Sequence, residues 1–312
     1  MRRPLVLAVY LAVAVLWGST WLVIRIGLED LPPLLFAGAR MALAAALLAP
    51  LGLARGGLAV LLAARGKVAV IGLLQVALPY GLMFVAQQWV PSGLSAILFA
   101  TFPIWIALIA HRFLPGEGLT PRRAASALLG VAGVAVIEAP RLGDLAGSTP
   151  LLAGSALLVL ASVVVALANV LARRHILAIP PLALTTGQAA VGAVLLLLAS
   201  LLLERGRPVV LTPTALSALV YLALFGSGLT YVGLYWLLPR IPMAALGVIP
   251  LIDTTVAVSL GAAVLGEPVG WALAVGGSMV AAAAVLAGTS RPAAGGQLTE
   301  RRGASAQSPS RS

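Results

Sequence analysis

The chain has 312 residues, of which 61% are hydrophobic and only 9% charged, with a formal charge of +11. A soluble domain carries about 25% charged residues, so this composition excludes a water-facing globule and points to a lipid solvent in which backbone polar groups are satisfied inside helices. The basic excess does not indicate a nucleic-acid partner, because no basic stripe is interleaved with solvent-facing aromatics and the charges flank apolar runs. Cysteine is absent, which excludes disulfides, thiolate catalysis and thiolate metal sites.

Apolar windows bounded by Pro, Gly and charge predict ten membrane spans. The first runs from Leu5 to Ile26; its apolar run is too long for a cleaved signal peptide, so a retained helix is expected. The second runs from Leu34 to Leu53, the third from Val68 to Trp89, the fourth from Ser92 to Phe113 and a short fifth from Ala124 to Ile137. The sixth runs from Leu151 to Leu171, the seventh from Leu182 to Leu203, the eighth from Ala215 to Leu238, the ninth from Met243 to Leu265 and the tenth from Trp271 to Ala287. The Ser-, Gly- and Arg-rich tail from Thr289 to Ser312 has too little apolar content to order itself and is expected to be disordered.

Loop charges orient these spans. Fifteen of the twenty basic residues fall on the side holding the N-terminus, the even-numbered connections and the tail; three, Arg141, Arg205 and Arg207, fall on the other. The positive-inside rule then places both termini in the cytoplasm. The halves also repeat. Arg25 and Pro32-Pro33 reappear 148 residues later as Arg173 and Pro180-Pro181, while Arg40 falls on Gln188. Tyr80 and Pro91 match Tyr231 and Pro242 at an offset of 151, and Gly116-Glu117 matches Gly266-Glu267 at 150. Five helices are an odd number, so the second copy enters from the opposite face. The expected fold is an all-α membrane protein of about ten transmembrane helices in two inverted five-helix repeats, residues 1–145 and 146–288, a common plan for transporters with a site near the bilayer midplane.

Trp17-Gly18-Ser19-Thr20-Trp21, followed by Arg25, Pro32-Pro33 and Arg40, resembles the opening of an EamA domain. Phe102-Pro103 through Gly116-Glu117, and Gly261 through Pro268, resemble later parts of the same pattern. The chain is thus similar to EamA-family members of the drug/metabolite transporter superfamily. The resemblance implies a central cavity, peripheral fifth and tenth helices, and movement, often export, of small organic solutes such as amino acids or related metabolites. Two departures stand out: Val165-Ala166-Leu167 occupies the place of Trp-Gly-Ser in the second half, and Thr254 stands where a proline often precedes the final Gly-Glu.

Several polar residues lie within the spans. Asp253 falls about ten residues into the ninth, roughly 15 Å along its axis and so near the middle of a core about 30 Å thick. An ionised carboxyl there is unfavourable by roughly 2.5–3.5 kcal/mol, so it must face protein or water, either as a proton or amine site or as a group held by Thr254 and its neighbours. Arg40, about 9 Å into the second span, is placed either to bind a substrate carboxylate or to snorkel outward to Glu29 or Asp30. Trp17, Thr20 and Trp21 share one helical face, and Thr230, Tyr231 and Tyr235 repeat such a cluster in the eighth span. Tyr80, Asn169 and Gln188 complete the candidate cavity set. Glu117 and Glu267 read as helix-end groups, Gly277 and Ala281 as a close-packing pair, and His111 and His175 as interfacial residues.

No P-loop, nucleophile elbow or metal-ligand cluster is present, so neither ATP drive nor an intramembrane enzyme is expected, and no cofactor is implied. The reading that follows is a secondary transporter of small organic solutes, with proton coupling through Asp253 as one mechanism. A non-transporting membrane receptor or chaperone is the alternative.

Overall fold

A computed structural model of the chain describes residues 3–54, 56–90, 95, 98–115, 117, 119–138, 149–175, 178–265 and 271–288. Helix α1 spans Arg3–Gly27, α2 Pro33–Gly52, α3 Gly57–Ala63, α4 Arg65–Ala86, α5 Phe102–Phe113 and α6 Pro121–Glu138. In the second half α7 spans Thr149–His175, α8 Pro181–Leu203 and α9 Pro213–Leu237. Helix α10 comprises Met243–Gly247 and, beyond a break at Val248, Ile249–Leu265; α11 is Trp271–Gly288. Helices α1, α2, α4, α7, α8 and α9 are each long and apolar enough to cross a membrane. With α5, α6, α10 and α11 they give the ten crossing elements, and large exposed apolar side chains such as Leu7, Leu51, Leu128, Leu201 and Val285 cover the lipid-facing surface.

Sequence chemistry explains the helix ends. Both α2 and α8 open on the second proline of a Pro-Pro pair, whose fixed φ suits a first helical turn and whose missing N–H would have no helical partner. Thr212 accepts a hydrogen bond from the Ala215 N–H and caps α9, and Thr120 accepts one from the Arg123 N–H at the start of α6. The α6 helix is longer at both ends than the expected Ala124–Ile137 span. The short α3, unforeseen in the sequence, carries exposed Leu58 and Leu62 beside the buried Leu61. The start of the expected fourth span, the Gly266-Glu267 turn and the tail lie outside the described residues.

Three departures from regular α-helix matter for the interior. Gly72–Ala77 within α4 and Leu222–Leu229 within α9 are π-helical, and they begin 150 residues apart. The ninth span is broken at Val248, because Pro250 has no N–H to donate to the Leu246 carbonyl one turn back.

The helices alternate between two faces. The face where α1 begins is here the proximal face, the opposite one the distal face. The Glu204 carboxylate at the end of α8 accepts hydrogen bonds from the Leu34 and Leu35 N–H groups at the start of α2, at 2.8 and 2.9 Å, so both ends share the distal face. Across the molecule, a Cβ added to Gly52 at the end of α2 would meet the Thr186 hydroxyl near the start of α8 at 2.1 Å, so these ends share the proximal face. The first repeat therefore enters from the proximal face and the second from the distal face.

Packing follows the same exchange. Helix α1 packs on α9 and α10, and its counterpart α7 packs on α4 and α5. Helix α2 packs along its own counterpart α8, and α6 along its counterpart α11, which leaves the α6–α11 pair at the periphery. The expected close-packing pair is corrected here. A Cβ on Gly133 would lie 2.7 Å from the Gly276 carbonyl oxygen, whereas one on Gly277 would make an ordinary 3.7 Å contact with Thr255. Nothing is described of the Ala281 side chain. The α6–α11 seam thus depends on Gly133.

This packing predicts that Gly133→Leu, which forces extra atoms into a backbone contact, destabilises the folded protein by about 1–3 kcal/mol or more, while Gly277→Ala is close to neutral. Thermal unfolding of both variants in detergent, followed by loss of monodisperse protein, measures the difference.

Candidate functional site

A small buried cavity of about 80 Å³ lies where the two repeats meet. From α1 it is lined by Trp17, Thr20, Trp21 and Ile24, from α2 by Arg40, and from α4 by Gln75, Pro79, Tyr80 and Met83. Phe99 and Phe102 near the start of α5, Val165 and Asn169 of α7, Tyr231 and Leu234 of α9, and Leu246, Pro250 and Asp253 of α10 complete it. Repeat counterparts face each other across it: Trp17 and Val165, Trp21 and Asn169, Tyr80 and Tyr231, Met83 and Leu234. The cavity sits on the pseudo-twofold axis.

Helix geometry puts these groups there. Gly18 brings α1 onto α10, since a Cβ at that position would lie 2.6 Å from the Asp253 carbonyl oxygen. On either side of Gly18, Trp17 and Trp21 then face the cavity; Trp17 meets the Tyr231 ring edge-on at 5.9 Å and Trp21 meets Phe99 at 6.1 Å. Leu246 and Pro250, on either side of the break at Val248, join the lining about two turns and one turn before Asp253.

The π segments supply the polar framework. A π turn shifts carbonyls away from their ordinary helical partners. In α4 the Gln75 carbonyl accepts a hydrogen bond from the Tyr231 hydroxyl at 3.2 Å. Its counterpart at an offset of 151, the Gly226 carbonyl in α9, accepts one from Arg40 Nη2 at 2.7 Å. Each repeat thus sends a side chain to a π-segment carbonyl of the other. Arg40 Nε also donates to the Ser227 hydroxyl at 2.7 Å, and its guanidinium lies 4.9 Å from the centre of the Tyr80 ring. The Tyr80 hydroxyl accepts from Arg40 Nη2 at 3.3 Å and lies 3.3 Å from the Tyr231 hydroxyl, whose one proton goes to the Gln75 carbonyl. A Cβ on Gly226 would lie 2.9 Å from Arg40 Nη2, so only glycine leaves room for the guanidinium.

The snorkelling reading of Arg40 is therefore corrected. Arg40 is 1% exposed and points inward to α9; it does not reach Glu29 or Asp30. The Asp30 carboxylate accepts instead from the Thr212 hydroxyl. Of the sequence-derived candidates, Trp17, Thr20, Trp21, Arg40, Tyr80, Asn169, Tyr231 and Asp253 all line the one cavity. Gln188, Thr230, Tyr235 and Thr254 do not. Tyr235 donates to the Gln188 side-chain oxygen Oε1 at the α8–α9 seam, Thr230 donates to the Gly226 backbone carbonyl at 2.9 Å, and Thr254 donates to the Pro250 backbone carbonyl at 2.9 Å. Gln75 and Ser227 were missed. Gln75 was legible as an isolated amide in the middle of a span; Ser227 lacked any distinguishing pattern. Gln75 accepts from the Asn169 amide at 3.3 Å, which links α4 to α7 across the axis.

The two ends of the cavity differ. Distally, a depression of about 700 Å³ is lined by Arg25, Leu28, Glu29, Asp30, Gln87, Val90 and Arg207 among others. It begins one helical turn beyond the cavity, as Arg25 follows Ile24 on α1 and Gln87 follows Met83 on α4. The proximal end is sealed. Glu117 pairs with Arg123 at 3.1 Å and with Arg173 at 3.3 Å, and accepts from the Met243 N–H at 3.2 Å. Arg173 also donates to the Ile241 carbonyl at 2.6 Å, and Tyr10 donates to the Ala245 carbonyl at 2.7 Å. Glu117 is thus a helix-end group, but the helix it caps is α10, reached through space. Among the described residues, no group of three His, Cys, Asp or Glu is placed to hold a metal ion.

A sequence profile described as the EamA-like transporter family matches the chain twice, over residues 4–139 and 152–289. A protein named as an inner membrane transporter, YedA, of Escherichia coli is 32% identical over 259 residues, covering 82% of this chain and 81% of its own. The Bacillus subtilis protein named transporter YoaV is 26% identical, covering 74% and 78%. One solved crystal structure superposes with a TM-score of 0.78 at 24% identity, covering 96% of this chain and 99% of the other, and so shares the fold. With both halves matched and a ten-span inverted-repeat architecture in place, the chain is an integral membrane protein belonging to the EamA-like transporter family.

Proposed function

We propose that this protein exports small organic metabolites by alternating access, as a secondary transporter whose site is the cavity on the pseudo-twofold axis. One observation carries the reading: a polar, aromatic-lined cavity sits between the repeats, sealed by ion pairs at one end and one helical turn from an open depression at the other. The fifteen-to-three basic bias makes the proximal face cytoplasmic, so the open depression faces outward.

The repeat supplies the moving contact. Arg173 seals the proximal face by donating to the Ile241 carbonyl. Its counterpart Arg25, and Val90, the counterpart of Ile241 at an offset of 151, both line the open distal depression, with Arg25 exposed. In the alternate state Arg25 swings onto the Val90 carbonyl while the Glu117–Arg173 contacts release. Asp253, 4% exposed, beside the Thr254 hydroxyl and sharing the cavity lining with Trp21, is the group that would bind and release a coupling proton.

Purified protein in liposomes, loaded with a pooled metabolite panel, tests the activity. Saturable efflux of at least one organic solute is expected; retained binding without flux of any solute supports a receptor instead. A reporter fused after Gly288 should be active only when it requires the cytoplasm, and activity on the outer side contradicts the orientation.

Releasing the proximal seal should expose the cavity to the cytoplasm. Removing one partner of a buried pair costs about 3–5 kcal/mol. Since the chain has no cysteine, a thiol introduced by Leu246→Cys reports on the cavity alone. Its reaction with a membrane-impermeant maleimide added from the proximal side should speed up roughly tenfold or more with Glu117→Gln; an unchanged rate contradicts the role of the seal.

Asp253→Asn preserves size and hydrogen bonding but cannot titrate. It should leave the protein folded and abolish flux driven by a pH gradient while sparing solute exchange. Unchanged pH-driven flux in a well-folded variant rejects the coupling role.

A further inference from the structure

Arg40 is a buried cation without a counter-charge. Its side chain is 1% exposed, and its three hydrogen-bond partners, the Ser227 hydroxyl, the Gly226 carbonyl and the Tyr80 hydroxyl, are all neutral oxygens. Among the described residues, the ion pairs join Glu117 to Arg123 and Arg173, and none involves Arg40. Its remaining nitrogen, Nη1, is buried and has no hydrogen-bond partner. Neutral oxygens offset only part of the loss of hydration of a guanidinium, and a buried charge is ordinarily paired.

The geometry of the guanidinium narrows what completes it. Nε and Nη2 bind Ser227 and Gly226 of α9, so one edge of the fork is already used for fold. The other edge combines Nη1, which has no partner, with Nη2, whose second contact is a long 3.3 Å bond to Tyr80. Two parallel N–H donors of this kind match a carboxylate. Beyond Arg40 the lining holds Trp21, Phe99, Phe102 and Leu234 along one part of its walls and Gln75, Asn169 and Asp253 as polar groups, with no lysine or second arginine.

We propose that the solute is a small amphipathic organic anion, whose carboxylate takes the unpartnered edge of Arg40 and whose apolar part lies against Trp21, Phe99 and Phe102. The proposal rests on the reading of this cavity as the transport site, and it names the class of solute. Asp253, the one acidic residue of the lining, makes no ion pair with Arg40; a bound carboxylate supplies that direct counter-charge, so carboxylates are preferred over uncharged molecules of the same shape. At about 80 Å³ the cavity must widen to admit more than a few waters, so binding is accompanied by separation of the walls around Arg40.

The test uses the full chain in nanodiscs. The probes are short aliphatic and phenyl-substituted monocarboxylates, each paired with the primary amide of the same carbon skeleton. Binding is read by calorimetry and by the change in tryptophan fluorescence. The carboxylate should bind at least about tenfold more tightly than its amide, the ratio expected from one charge-assisted bidentate contact. Arg40→Gln should abolish that preference while leaving weak binding of the amide. Should Arg40→Gln fail to fold, Gly226→Ala displaces the guanidinium without removing it and should reduce the preference by the same criterion. Equal binding of the two series by the parent protein, binding of neither, or a preference that survives in a folded Arg40 or Gly226 variant overturns the proposal. Efflux of an uncharged solute with no carboxylate preference rejects the anion and keeps the carrier. Arg40-dependent carboxylate binding without flux of any bound solute keeps the anion site and rejects the carrier.

Discussion

A carbonyl that leaves its helical partner inside a bilayer has no water to turn to, and it must be satisfied by another part of the protein. Two carbonyls in π-helical segments, at Gln75 and Gly226, take side-chain donors from the opposite repeat at this molecule's centre, Gly226 also from Thr230 of its own helix. Each lies in a π-helical segment, at matching positions of the two repeats. Each is reached by a side chain from the opposite repeat, Tyr231 in one direction and Arg40 in the other. Because these bonds cross the pseudo-twofold axis, they fix where the repeats meet. Because a tyrosine and an arginine make them, the same bonds deliver an aromatic ring and a cation to the wall of the cavity.

Symmetry builds the frame, and departures from it make the site. Paired helices pack in exchanged copies on either side of the axis, yet the residues that face one another have diverged. Trp17 looks across at Val165, and Trp21 at Asn169. Arg40 has Gln188 as its counterpart, and the two are held differently. The shorter amide stays at the α8–α9 seam under Tyr235, whereas the guanidinium spans to Gly226 and Ser227. The cavity is therefore polar and charged on its α2 side and has no equivalent group on its α8 side. The ends differ as well, with Glu117 drawing Arg173 and Arg123 together proximally while Arg25 stands in an open depression distally.

Most of the frame was legible in the sequence. Long apolar runs, Pro-Pro starts and a near-constant repeat offset determine spans and inversion through simple rules of length and parity. Eight of the cavity residues were visible as polar or indole groups inside spans, where lipid exposure is unfavourable. What escaped was set by contacts between helices. Nothing in the spacing of Leu222–Leu229 distinguishes a π segment from an ordinary helix, so the anchor at Gly226 and Ser227 was hidden. Without it, Arg40 had no visible inward partner and an outward reach to Glu29 or Asp30 was equally consistent. Gly133 was overlooked for the same reason, because its importance comes from Gly276 on another helix.

The central claim is that one cavity is exposed alternately through opposite ends. Electron-spin distance measurements in nanodiscs test it most directly. One pair of spin labels at Glu29 and Gln88 reports on the distal opening, and a second at His175 and Arg240 on the proximal seal. Comparison of the parent protein with Glu117→Gln, in which the seal is weakened, should show the proximal distances lengthening while the distal distances shorten. Proximal lengthening with an unchanged or longer distal distance would describe a pore open at both ends, and it would contradict the account.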